Sequence, residues 1–374
     1  MDFLRRTWAE IDISSLIHNL KEIKNAVENK KIFAVVKADA YGHYAEFVAP
    51  ALEKEGVYGF AVSNLIEAEQ LRDYGIKSPI LILGYTPVEF VERLALGDII
   101  QTVYSKDYAE MLSLAATKHD VTIKVHIKLD TGMGRIGFDC RTDELLEISS
   151  AIKSAGLPNF ILDGVFTHFA VADRTENEED GFTDEQNNRF NKAKEAFLKA
   201  GFKDVIFHTA NSAATLLDYD KHYGACRTGI ILYGLTPNNQ LNLKEKLIPV
   251  MSFKTVVTMV KTVKQGDTIS YGRTFTAEKK MRLASIAVGY ADGYPRAMSN
   301  KGYVIINGKK AKIVGRVCMD QTVVDVSGID DVKIGDEVLL FGKDLPVEEI
   351  AEISGTINYE IITNISPRVP RVRV

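Results

Sequence analysis

A chain of 374 residues with 46% hydrophobic content can bury two domain cores rather than one. Its 46 Lys and Arg against 50 Asp and Glu give a net charge of −4 without any block of like charge, which speaks against a nucleic-acid or membrane partner. The N-terminal "MDFLRRTWAEIDIS" lacks the apolar core of a signal peptide and no run reaches the roughly 18 apolar residues of a spanning helix, so the expected location is cytoplasmic.

From residue 31 to about 235, short β-branched runs alternate with helical patterns. The runs are "IFAVVK", "YGFAVSN", "ILILGY", "IIQTVYS", "IKVHIKLD", "LDGVFTHFA", "DVIFHTA" and "CRTGIILYG". Between them lie amphipathic stretches such as "LIEAEQLRDYG" and "NNRFNKAKEAFLKAG". Strands apolar on both faces, each followed by a helix, imply parallel pairing, and eight such units are what a closed (β/α)8 TIM barrel needs. The barrel is expected over residues 13–240. Within it, the acidic "DRTENEEDGFTDEQ" reads as a solvated loop before a helix. From residue 241 to 374 the texture turns to strands joined by Gly266-Asp267, Asn307-Gly308 and Gly335-Asp336, which predicts a smaller, mainly β domain. Cys140, Cys226 and Cys318 are odd in number and widely spaced, as reduced thiols would be; neither a disulfide framework nor a metal site is expected.

Sites in such barrels form at the C-terminal ends of the strands, with phosphate commonly held by the last two loops. Those ends carry Lys37, Arg135 in "LDTGMGRIG", His168, Ser212 in "ANSAA", and Arg227 and Gly229 in "RTGI". An amine, two guanidiniums, an imidazole and a hydroxyl near glycine suit a phosphorylated ligand with a carbonyl for Lys37 to capture. Pyridoxal phosphate meets that description, because it needs a Schiff-base lysine, a phosphate cup and a partner for its ring nitrogen. Each residue also has a plainer reading. Lys37 can be a surface lysine, Arg135 can pair with Asp130, His168 can be a hydrogen-bonded core residue, Ser212 an N-cap and Gly229 a packing glycine.

Longer motifs, "AVVKADAYGHY", "KLDTGMGRIGF", "HTANSAA", "RTGIILYGL", "ISYGRTF", "VGYADGYPR", "GRVCMDQ" and "NYEIITNISPRVPR", give the sequence a resemblance to the alanine racemases, fold-type III pyridoxal phosphate enzymes. The resemblance implies that Lys37 carries the cofactor and acts as one catalytic base. Tyr41, Ser212, Gly229, Ile230 and Tyr359 would surround the phosphate, with Asn211 a further cofactor contact. Arg227 would face the pyridine nitrogen, with His168 hydrogen-bonded to Arg227 from behind. Arg135 would reach the cofactor's phenolic oxygen and the substrate carboxylate. Tyr271 would be the second base, entering from the neighbouring subunit of a homodimer, and Met319 would hold substrate from the same side. Lys128 stands where many members carry an N-carboxylated lysine; the alternative is an ordinary lysine paired with a carboxylate. Asp173, Tyr290, Arg296 and Arg316 would line the access corridor. Residues 1–12 would supply a strand to the C-terminal domain. The implied function is L- and D-alanine interconversion by two bases, feeding peptidoglycan synthesis; a broad-specificity or serine-preferring racemase is the alternative. Thr363 departs from the family, where cysteine is common.

Overall fold

The computed structural model describes residues 4–28, 30–141, 144–173, 181–216, 223–237 and 246–374. Two compact units emerge. One comprises Leu16–Ala40 and Ala45–Leu247; the other comprises Met1–Ser15, Tyr41–Tyr44 and Ile248–Val374. The excursion Tyr41–Tyr44 has no counterpart in the division expected from the sequence.

In the first unit, eight parallel strands pair in chain order: Lys31–Val35, Gly59–Val62, Ile80–Ile82, Ile99–Val103, Ile123–Asp130, Phe160–Phe166, Ile206–His208 and Ala225–Thr228. The last returns to the first, with Ala225 opposite Lys31, and closes a barrel. Strand Ile99–Val103 is buried at every position and Ile123–Asp130 at all but one, as expected where side chains fill the barrel on one face and meet helices on the other. Helix starts are fixed locally: Asn64 caps Leu65–Asp73 and Ser105 caps Lys106–Lys118, each accepting a backbone N–H three residues on.

Two details differ from the sequence reading. "CRTGIILYG" ends as a strand at Thr228, and Ile230–Tyr233 forms a 3-10 turn anchored by the Tyr233 hydroxyl on the Val35 carbonyl at 3.0 Å. Residues 174–180 of the acidic stretch lie outside the described residues. Its end already forms the first turn of the helix Phe182–Lys199, where Asp184 and Glu185 complement the helix dipole.

In the second unit, six antiparallel strands close on themselves in the order Met281–Ile286, Thr322–Asp325, Lys309–Ile313, Tyr303–Ile306, Glu337–Phe341 and Met251–Val263. Thr7–Ile11 adds antiparallel to Met251–Thr255, and Arg371–Arg373 runs parallel to it. Asn307 and Gly308 link two strands with φ of 50° and 73°, the positive pair a two-residue hairpin requires. Two helices, Val347–Ser354 and Asn358–Thr363, were not expected. The spacing was legible, since Val347, Ile350 and Ala351 share one buried helical face.

Candidate active site

The barrel's first strand ends in an uncommon backbone. Val36 still bonds to Ala61 of the next strand, but after Lys37 four residues, Ala38, Asp39, Ala40 and Tyr41, take φ of 52–54° and form a left-handed turn. Each such residue costs roughly 1–2 kcal/mol, so the turn needs outside support. Glu67 supplies part of it, accepting the Ala38 N–H at 2.8 Å and the Ser63 N–H at 2.7 Å. Asp39 supplies another part by accepting the Ala45 N–H at 2.7 Å. The Lys37 amine stands half-buried beside this turn. Burial lowers its pKa, Arg135 lowers it further and Glu67 opposes both.

Arg227, on the eighth strand, is 4% exposed. It donates to the carbonyls of Thr167 (2.7 Å) and Thr209 (2.9 Å), to His168 Nδ1 (3.2 Å) and to His208 Nδ1 (2.8 Å). Every one of these partners is neutral or a lone pair, and among the described residues no carboxylate pairs with the guanidinium. Burial pulls its pKa down to about 9, so it stays a charged donor at neutral pH. His168 is pushed well below the usual imidazole range by burial and then by Arg227, Lys128, Arg135 and Lys37 together. Lys128, 3% exposed, donates to the Leu129 carbonyl at 2.6 Å and lies 5.6 Å from the Phe166 ring centre. Burial, only partly opposed by Asp130, brings its pKa down to about 7.

Arg135 is exposed. Asp130 does not pair with it among the described residues; its carboxylate instead takes the N–H groups of Gly132 and Gly134, both at 3.0 Å, and shapes the loop. Ser212 is not the N-cap of its helix. Asn211 is, accepting the Ala214 N–H at 3.0 Å, while its own amide reaches the Phe169 carbonyl at 3.3 Å. Ser212 Oγ accepts the Gly229 N–H at 2.9 Å, which joins the loops after the seventh and eighth strands and places Ile230 at the start of the 3-10 turn. Asp173 is half-buried in the same unit, at the edge of the undescribed segment.

The remaining sequence-predicted residues belong to the second unit. Tyr41 is buried, with its ring centre 6.0 Å from that of Tyr359. Tyr271 and Met319 line an open depression of about 480 Å³ and are 72% and 53% exposed. Ser270 holds this region together by donating to the Arg316 carbonyl at 2.7 Å and lying 3.3 Å from Cys318 Sγ. Tyr290 and Arg296 line a second depression of about 650 Å³. The N–H of Tyr290 bonds to the Cys318 carbonyl at 3.0 Å, which ties the two depressions together.

Four cationic side chains thus act on one imidazole in the barrel, a field suited to an anionic ligand. Among the described residues no group of three His, Cys, Asp or Glu is placed to hold a metal ion, and no helix is long and apolar enough to cross a membrane.

Family models described as the N-terminal and C-terminal domains of alanine racemase match residues 11–237 and 250–373. The chain belongs to the alanine racemase family. It is 44% identical to alanine racemase 1 of Clostridium acetobutylicum, over 99% of this chain and 96% of that protein. It is 45% identical to the alanine racemase of Desulfovibrio desulfuricans, over the full length of both. The solved alanine racemase of Clostridium difficile superposes with a TM-score of 0.92 at 40% identity, covering 100% of this chain and 97% of that one. The Bacillus anthracis enzyme with bound L-Ala-P gives 0.91 at 39% identity, with 100% and 96% covered.

Sequence reasoning had passed over Glu67, His126, Asp163 and His208. Two of them carried a signal, since a histidine inside a buried-strand run such as "KVHIKLD" or "VIFHTA" must find a buried partner. Glu67 carried none, because a glutamate in a first helical turn is commonplace.

Proposed function

We propose that the chain racemises alanine as a cytoplasmic homodimer using pyridoxal 5'-phosphate, providing D-alanine for peptidoglycan. The observation that carries this reading is the buried Arg227, which donates to His168 Nδ1 and to the Thr167 and Thr209 carbonyls and meets no acid among the described residues. The donor set fits the cofactor: an amine of lowered pKa, a buried guanidinium, and two loops joined by Ser212 and Gly229. When bound, the cofactor supplies an electrophilic carbon for the substrate amine and a conjugated ring that spreads the charge left by loss of the Cα proton.

The protein's own residues do the rest. Ser212, having accepted the Gly229 N–H, keeps its hydroxyl proton to donate to a phosphate oxygen; Asn211, Ile230, Tyr41 and Tyr359 complete the set for that group. Arg227 donates to the ring nitrogen and cannot donate a proton to it readily, which keeps the ring a shallow electron sink and disfavours transamination. Arg135 neutralises the substrate carboxylate and the phenolic oxygen. Lys37 removes the Cα proton of D-alanine, and Tyr271 of the partner subunit removes that of L-alanine from the opposite face, because one base does not serve both faces. Met319 of the partner subunit helps hold the substrate, and Asp173, Tyr290, Arg296 and Arg316 restrict access to small side chains. Lys128, with a pKa near 7, has a neutral fraction at physiological pH able to take up carbon dioxide; the resulting carbamate would anchor Arg135.

Mixed dimers test the shared site. Lys37→Ala and Tyr271→Phe are each expected to keep about a hundredth of wild-type activity or less, while refolding them together restores about a quarter, since half of the dimers are mixed and each has one intact site. Failure of the mixture to regain activity overturns the arrangement. A purified protein with no visible cofactor absorbance overturns the cofactor assignment.

A further inference from the structure

A chain of side-chain hydrogen bonds runs from Arg227 across the barrel to a partly exposed carboxylate. Arg227 Nη1 lies 2.8 Å from His208 Nδ1, His208 Nε2 lies 3.0 Å from His126 Nδ1, and His126 Nε2 lies 3.0 Å from Asp163 Oδ2. Its direction is fixed at both ends. A guanidinium only donates, so His208 Nδ1 must accept, and a neutral His208 then carries its proton on Nε2. That proton is given to His126 Nδ1, which leaves the His126 proton on Nε2, facing a carboxylate that only accepts.

The surroundings leave these rings little choice. The rings of Phe166 and Phe33 stack on His208 with centroids at 4.9 and 5.6 Å, so only its edge is open to polar partners. His126 packs where Gly164 has no side chain; a Cβ there would lie 2.6–2.8 Å from three of its ring atoms. Both imidazoles are fully buried, whereas the Asp163 side chain retains 30% exposure and sits in the field of Lys124 and Lys31.

We propose that Asp163 is a positioning residue for Arg227: its carboxylate fixes the Nε2–H tautomer of His126, and through it that of His208, so that His208 can only accept from the guanidinium. Without the charge, the opposite pair of tautomers becomes available. His126 Nδ1–H then donates to His208 Nε2, and His208 Nδ1–H points at the guanidinium and breaks its 2.8 Å bond. The consequence for catalysis rests on the reading of Arg227 as partner of the cofactor's ring nitrogen; the tautomer assignment does not.

The test uses 15N-histidine-labelled full-length protein at neutral pH, with His126 and His208 assigned by single substitutions. Wild type is expected to show Nε2–H on both rings, and Asp163→Asn, whose amide can accept or donate, a second Nδ1–H population on both. Nδ1–H on either ring of wild type, or an unchanged distribution in Asp163→Asn, overturns the proposal; the first does not depend on Asp163→Asn folding. In the holoenzyme, Asp163→Asn is expected to lower kcat about tenfold with KM for alanine unchanged, the scale of one charge-assisted hydrogen bond, and Asp163→Glu to recover most of it. Redistributed tautomers with unaltered kcat overturn the positioning role. A wild type that neither binds pyridoxal phosphate nor racemises alanine refutes the functional reading instead, and the tautomer result stands apart from it.

Discussion

The two units present their functional residues in opposite ways. In the barrel, Arg227 and Lys128 are 4% and 3% exposed, and both terminal nitrogens of Arg227 are held by His208 and by residues that follow the neighbouring strands. In the β unit, Tyr271 and Met319 stand 72% and 53% exposed on the rim of a shallow depression. The barrel half is preorganised by its own packing, at the cost of burying cations. The other half is displayed outward. The left-handed turn at Lys37 belongs with the first kind, since its strain is tolerated only because Glu67 and Asp39 satisfy its backbone.

That contrast can be broken most forcefully at the two proposed bases. Lys37→Ala should lower racemisation in both directions by at least about 10³-fold, measured as kcat from each enantiomer. Tyr271→Phe should lower kcat/KM by about 10²-fold or more and equally from either enantiomer, since the equilibrium constant of unity ties the two directions, with the thermal midpoint unchanged because the side chain is exposed. A fall in stability for Tyr271→Phe would erase the distinction between the halves. Next in size, Arg227→Glu should reduce kcat by about 10²-fold and release pyruvate, detectable with lactate dehydrogenase, as a ring nitrogen given an acidic partner becomes a deeper sink. No pyruvate would remove Arg227 from the control of reaction type.

A sharper probe is the pH dependence of Lys37 itself. Glu67 raises its pKa and Arg135 lowers it, so Glu67→Gln should shift the midpoint for amine modification in the apoprotein downward and Arg135→Ala should shift it upward. Shifts of the same sign in both variants would contradict the assigned charges. Smallest of all, Gly308→Ala in the β unit should cost about 1 kcal/mol in urea unfolding with kcat unchanged, because φ of 73° is unfavourable for an L side chain.

Much of the barrel was legible because its signal is one-dimensional. All eight runs named from β-branched alternation overlap a strand of the closed sheet, three of them starting one or two residues late, and Asn307-Gly308 turns a hairpin as its chemistry demands. The last run misled at its end: Gly229 looks like the interior of an apolar segment until Ser212 captures its N–H from another loop. The strand ends likewise revealed Lys37 and Arg227 as chemistry-bearing positions, but not the network that holds them. Glu67 is an ordinary helix glutamate in sequence, and its two backbone partners lie four and 29 residues away.

What the sequence by itself determined is the alternation of elements, the class of each unit and the order in which reactive side chains arrive at strand ends, because these follow from local periodicity and turn chemistry. Only the tertiary structure decided which groups share a field: four cations on His168, and Asp163 joined to Arg227 through two imidazoles. Electrostatics and hydrogen bonding act through space over a few ångströms, and closure of the barrel brings residues 126 and 208, 82 apart in the chain, to 3.0 Å.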